Sequence, residues 1–156
     1  MKRSPHDCTQ RDKLQPSKFS AAGFLGRDER PLEEIINADV REVEQRGLTQ
    51  TQVADSLQEV HDQARAAMGA RVQIRPGLWA EYHESMGRIP SPFSGEGVFE
   101  KGQTTVYDRE GMPRLILSAL SIHLIRAHGF FQGKGSPYRI EPGEAIDLLG
   151  IAARDR

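Results

Sequence analysis

His123 and His128 bracket the end of a short apolar run that stops at Gly129, and a glycine-rich stretch follows with Phe130, Phe131, Lys134, Ser136 and Arg139. Imidazole titrates near neutrality and offers lone pairs to metals, so the pair could act as general acid and base or as metal ligands. On a regular helix a spacing of five leaves about 140° between two side chains, since each residue turns the chain by about 100°. Two ligands on one helix face want a spacing of three or four. The pair can therefore share an ion if the helix ends before His128, and zinc would still need a third protein ligand. His83, Glu81, Glu84 and His61 are the options for that place. Without a metal, a protonated His128 beside a C-terminal glycine would bond the last carbonyls and complement the helix dipole.

The stretch after the histidines suggests a different chemistry. Gly133 and Gly135 around Lys134 can turn backbone N–H groups toward an anion, and Ser136 and Arg139 add donors. The spacing matches neither the Gly-x4-Gly-Lys-Ser/Thr phosphate loop nor Gly-x-Gly-x-x-Gly. Glycines of this kind also serve simply to permit positive φ in a tight connection. Phe130 and Phe131 read as core anchors. Ser118, Ser121 and Ser136 lack a Gly-x-Ser-x-Gly elbow, and Ser121 reads as a helix cap. Cys8 lies in a polar N-terminal stretch and makes a poor nucleophile.

Several elements must position these residues. Leu32, Ile35, Ile36, Val40 and Val43 recur at helical spacing after Pro31, with Gly47 at the exit. Thr49 and Gln52 form a Thr-x-x-Gln capping box, with Leu48 and Val53 placed as a hydrophobic staple. Val53, Leu57, Val60, Ala64 and Met68 then line one face up to Gly69. Alternation in Val72 and Ile74, and again in Leu78, Ala80 and Tyr82, predicts strands. Residues 87–95 form a stiff Pro-rich loop with the look of a pocket rim. Residues 98–101 and 104–108 read as a strand pair across Gly102, and 114–117 as a further strand. A helix over 121–128 and a terminal helix over 142–149, stopped by Gly150, complete the pattern. The expected fold is α+β: an N-terminal helical hairpin packed with a small antiparallel β-meander, then a third helix and a short C-terminal helix.

Length and composition narrow the classes. The 156 residues suffice for one domain, expected over 23–150, with a disordered or loosely docked tail over 1–22 and a C-terminal tail over 151–156. Phe19, Phe24 and Leu25 are the anchors expected near the first tail. The net charge is −1, divided as +3 over residues 1–30, −5 over 31–70 and +1 over 71–156. That balance argues against a basic nucleic-acid binder. Residues 48–57 look superficially like the entry to a helix-turn-helix, but the helical phase continues past Leu57 and the region is acidic, opposite to what phosphate contacts need. No apolar run is long enough to cross a bilayer, and the basic start lacks the apolar segment of a signal peptide. A single cysteine fits a reducing, cytoplasmic setting.

Residues 120–139, with 23–36 upstream, resemble a group of small bacterial proteins to which no activity is attached. The resemblance runs from about residue 23 to 149. It implies a bacterial, cytosolic protein and carries over no catalytic residue.

The sequence thus supports a protein that binds a small anionic ligand or a protein partner, with its site over residues 123–139 and Lys134, Ser136 and Arg139 as ligand-binding residues. A rival from another class is a His-dependent or metal-dependent hydrolase using His123 and His128, with His83 as a further candidate ligand. A third is a structural interaction module in which these residues only fix the fold. Neither a cofactor nor an oligomeric state can be read from the pattern.

Overall fold

A computed structural model describes residues 23–153. The expectations for residues 1–22, Cys8 and Phe19 among them, and for 154–156 lie outside the described residues.

The chain is α+β. Helices α1 (Leu32–Gln45) and α2 (Gln50–Ala66) precede strands β1 (Val72–Arg75), β2 (Leu78–His83), β3 (Arg88–Pro90), β4 (Val98–Glu100), β5 (Gln103–Tyr107) and β6 (Pro113–Ser118). Helices α3 (Ala119–His128) and α4 (Pro142–Leu149) follow. Strands β1, β2, β5 and β6 form one antiparallel sheet in that order, while β3 and β4 pair only with each other. The expected pairing of residues 98–101 with 104–108 does not occur. Both edges of β5 are taken, by β2 and β6, so β4 turns back onto the Pro-rich segment and makes residues 88–90 a strand rather than loop.

Local chemistry fixes the helix starts. The Thr49 hydroxyl accepts from the Gln52 N–H at 3.1 Å, and the Gln52 side-chain Oε1 accepts from the Thr49 N–H at 2.8 Å. An equivalent box opens α3, where Ser118 is the cap and Ser121, the expected cap, is its reciprocal partner. At the far end of α2 the expected stripe stops short. Met68 adopts φ 53° and is 91% exposed, because the chain leaves the helix after Ala66 and turns at Gly69 into β1.

Two apolar clusters form. In the first, Val53, Leu57, Val60 and Ala64 of α2 pack on Ile74, Leu78, Ala80, Val106, Leu115 and Leu117 of the sheet, closed at one side by Phe131 and α4. The second gathers Phe24, Leu25, Leu32, Ile35, Leu120, Leu124 and Phe130, with Ile89, Phe93 and Phe99 of the β3–β4 ribbon laid against it. Helices α1 and α2 are sequence neighbours, yet each has its main helical partner elsewhere: α1 lies on α4, and α2 on α3. Helix α3 serves both clusters, giving Ile122 and Ile125 to the first and Leu120 and Leu124 to the second.

Gly129 ends α3 in the left-handed conformation, φ 65°. A Cβ there would lie 2.5 Å from Val40 Cγ2 and 2.8 Å from Gln50 Oε1, whose amide nitrogen also donates to the Arg126 carbonyl at 3.1 Å. Gly129→Val should therefore lower stability by more than about 1 kcal/mol, read as a drop in the urea midpoint. An unchanged midpoint would contradict this cap.

Candidate metal centre

The two histidines do meet, and a residue outside the expected set brings them together. Nε2 of His123 donates to Oε1 of Glu96 at 2.9 Å, and Nε2 of His128 donates to Oε2 of the same carboxylate at 2.7 Å. Helix α3 continues through His128, so the side chains do leave it about 140° apart. They still converge because they straddle one ridge. On a helical wheel Leu120 and Leu124 lie between them, about 60° to 100° from His123 on one side and about 40° to 80° from His128 on the other. The β3–β4 ribbon lies over that ridge and carries Glu96 in its connecting loop.

The imidazoles are braced on their faces. Phe93 stacks on His128 with centroids 3.9 Å apart and planes at 22°, and Phe99 lies 4.7 Å from His123 at 33°. Phe93 in turn meets Phe130 edge-on at 6.4 Å, which ties this bracing to the second core. The expectation that His128 caps the carbonyls of its own helix gives way to its bond with Glu96. All three side chains are mostly buried but keep 21–26% of their surface, so the group is reachable from solvent.

Burial by itself would raise the Glu96 carboxyl. Hydrogen bonds from His123, Ser91 and His128, with the charge of His128, outweigh it and bring the pKa down to about 2. An ionised carboxylate only accepts, so both Nε2 atoms carry a proton in this state.

One ligand atom from each of Glu96, His123 and His128 lies within 4.8 Å of the others, the one such group of His, Cys or carboxylate side chains among the described residues. Zinc sits about 2.0–2.2 Å from imidazole nitrogen or carboxylate oxygen, which in tetrahedral geometry places two ligand atoms roughly 3.3–3.6 Å apart around it. The 2.7 Å between His128 Nε2 and Glu96 Oε2 would have to open by roughly 0.6–0.9 Å once the bridging proton leaves, and His123 Nε2, which faces Oε1 at 2.9 Å, would have to turn toward the same ion. Three ligands are one short of a closed structural zinc site and match the open type, in which water or substrate takes the remaining position.

The other expected third ligands are engaged or stand apart. His61 is buried, hydrogen-bonded through Nδ1 to Thr104 Oγ1 at 2.7 Å, and burial together with the nearby Arg65 charge pushes its pKa down. Glu81 pairs with Arg71, and His83 and Glu84 are exposed around the end of β2, outside the group. Glu96 had one sequence signal: a carboxylate between Gly95 and Gly97, just beyond the Pro-rich loop.

Donors of Gly133, Ser136 and Arg139 and the Lys134 amide bond within the protein itself. Gly133 N–H bonds the Phe24 carbonyl at 2.8 Å, and the Lys134 N–H bonds the Asp28 carboxylate at 3.2 Å. A Cβ on Gly133 would lie 2.3 Å from the Leu25 carbonyl oxygen, so this glycine serves close backbone approach. Ser136 Oγ donates to Gln132 Oε1 at 2.7 Å, and the Lys134 side chain is exposed. Arg139 points inward. It makes two bonds to Asp39, at 2.9 and 3.0 Å, two to Glu141, and one to the Gln132 carbonyl. Burial alone would lower the Arg139 pKa, but Asp39 and Glu141 outweigh it and raise it. The segment thus fastens α1 to the loop and supports the chain just beyond His128.

No family model matches the chain, and neither a curated protein nor a solved structure matches it. The site's own chemistry has to carry the functional reading.

Arg139 and Asp39 are 7% and 6% exposed as side chains, so removing one partner strands a buried charge. Arg139→Ala should destabilise the protein by about 3 kcal/mol or more in denaturant unfolding. A loss below about 1 kcal/mol would leave the guanidinium available for a ligand instead.

Proposed function

We propose that this protein is a divalent-metal hydrolase whose ion is held by Glu96 Oε2 and the Nε2 atoms of His123 and His128. The observation that supports the reading is the convergence of two imidazole Nε2 atoms on one carboxylate in a partly open site. Two imidazoles and a carboxylate suit zinc and its first-row neighbours better than calcium or magnesium, which favour all-oxygen shells. An ion left with an open position polarises a substrate carbonyl or phosphoryl oxygen and lowers the pKa of bound water toward about 7.

The protein's own part is orientation. Phe93 and Phe99 fix the imidazole planes, and the box at Ser118 and Ser121 fixes the start of the helix that carries both rings. Ligation requires both Nε2 protons to leave, so metal uptake releases protons.

Chelator-treated protein titrated with Zn2+, Co2+ or Mn2+ provides the test. At about 100 times its dissociation constant an ion should stabilise the fold by about 2.7 kcal/mol, and His123→Ala and Glu96→Gln should each abolish that gain. Metal-dependent hydrolysis of activated ester and phosphoester substrates should be lost in the same variants. Wild-type protein that gains no stability from any of the three ions would overturn the metal centre. Binding without turnover of either substrate class would overturn the hydrolytic assignment alone.

A further inference from the structure

The Pro-rich loop has a role that the three ligands leave unexplained. Ser91 lies between Pro90 and Pro92, and a residue that precedes proline is held to extended backbone. Its N–H donates to the Gly97 carbonyl at 3.1 Å, which closes the loop around Glu96. The Phe93 N–H donates to Ser91 Oγ at 3.2 Å, so that lone pair is occupied. The hydroxyl proton is then directed at Glu96 Oε1, 2.7 Å away. Phe93 is also the ring stacked on His128, so one short loop orients a ligand from each side of the centre.

Resting on the metal reading above, we infer that Ser91 is a positioning residue that makes Glu96 a one-oxygen ligand. Oε1 also faces His123 Nε2 at 2.9 Å in the metal-free state. Once that nitrogen gives up its proton to ligate, the Ser91 hydroxyl still holds Oε1, leaves Oε2 to face the ion and keeps the carboxylate from swinging into two-oxygen ligation. A carboxylate that ligates through both oxygens adds a fifth ligand atom and crowds the position that water or substrate needs. Ser91 touches neither the ion nor the substrate in this scheme; it acts through Glu96. Hydrogen bonds from outside the ligand set commonly set metal affinity by roughly 10- to 100-fold, and this one would also set the coordination number.

Cobalt(II) is the probe, because its visible absorption intensity falls as coordination rises from four to five. Wild-type, Ser91→Ala and Ser91→Thr proteins are titrated with Co2+, and the metal-free thermal midpoint of each is measured alongside. Ser91→Ala should bind Co2+ roughly 10- to 100-fold more weakly, with a weaker visible band. Ser91→Thr, which keeps the hydroxyl, should restore both, and the metal-free midpoints should stay close to wild type. Equal affinity and an unchanged spectrum in Ser91→Ala would overturn the role of Ser91 while leaving the centre standing. Equal losses in Ser91→Ala and Ser91→Thr would also overturn it, since the hydroxyl would then not be the group that acts. Wild-type protein that takes up no Co2+ would remove the metal centre and this inference with it.

Discussion

Helix α3 is gripped from two sides, and the geometry of the site follows from that grip. Ile122 and Ile125 belong to the core under the sheet, whereas Leu120 and Leu124 belong to the core under the β3–β4 ribbon. A ten-residue helix with apolar side chains on two opposed faces has little surface left for polar ones. His123 and His128 occupy the flanks of the Leu120–Leu124 ridge, and the ribbon that covers the ridge delivers Glu96 between them. The carboxylate then meets two imidazoles in a place mostly withdrawn from water, where a hydrogen bond to an ionised group is strong. Neither rotation of the helix nor lifting of the ribbon is possible without opening a core.

The other end of α3 depends on a second constraint. Gly129 reverses the chain, Phe130 and Phe131 enter the two different clusters, and Arg139 returns to bond Asp39 on α1. That buried ion pair joins segments one hundred residues apart. It is specific rather than strongly stabilising, because desolvation of the two charges offsets much of their attraction. Its consequence is that the glycine-rich loop has no spare donors at Gly133, Ser136 or Arg139. An internal carboxylate, Asp28, already holds the Lys134 amide.

Much of this was legible in the residues. Thr49 and Gln52 announced a helix start by reciprocal chemistry that needs only local sequence, and the left-handed ends at Gly129 and Gly150 followed from the same kind of reasoning. The α+β order was readable because the apolar period shortens after Gly69. Long-range choices were not. Which edge β4 would take depended on β2 and β6 claiming both edges of β5, a competition that no local window contains. Glu96 was missed for a related reason: it becomes a partner of His123 and His128 only when residues 27 and 32 positions away are folded over it. A guanidinium among glycines looks like an anion grip, and only the fold brings Asp39 beside it, with Glu141 as a second carboxylate.

The protons on the imidazole nitrogens test the central claim most directly. Long-range proton–nitrogen correlation spectra distinguish Nε2 from Nδ1 in each histidine, with and without saturating Zn2+. Without metal, Nε2 of both His123 and His128 should be protonated, each facing a carboxylate oxygen. With Zn2+, both Nε2 protons should disappear and Nδ1 should carry the remaining proton, while His61 and His83 keep their spectra. Nε2 atoms that stay protonated under Zn2+, or changes confined to His61 and His83, would contradict the account.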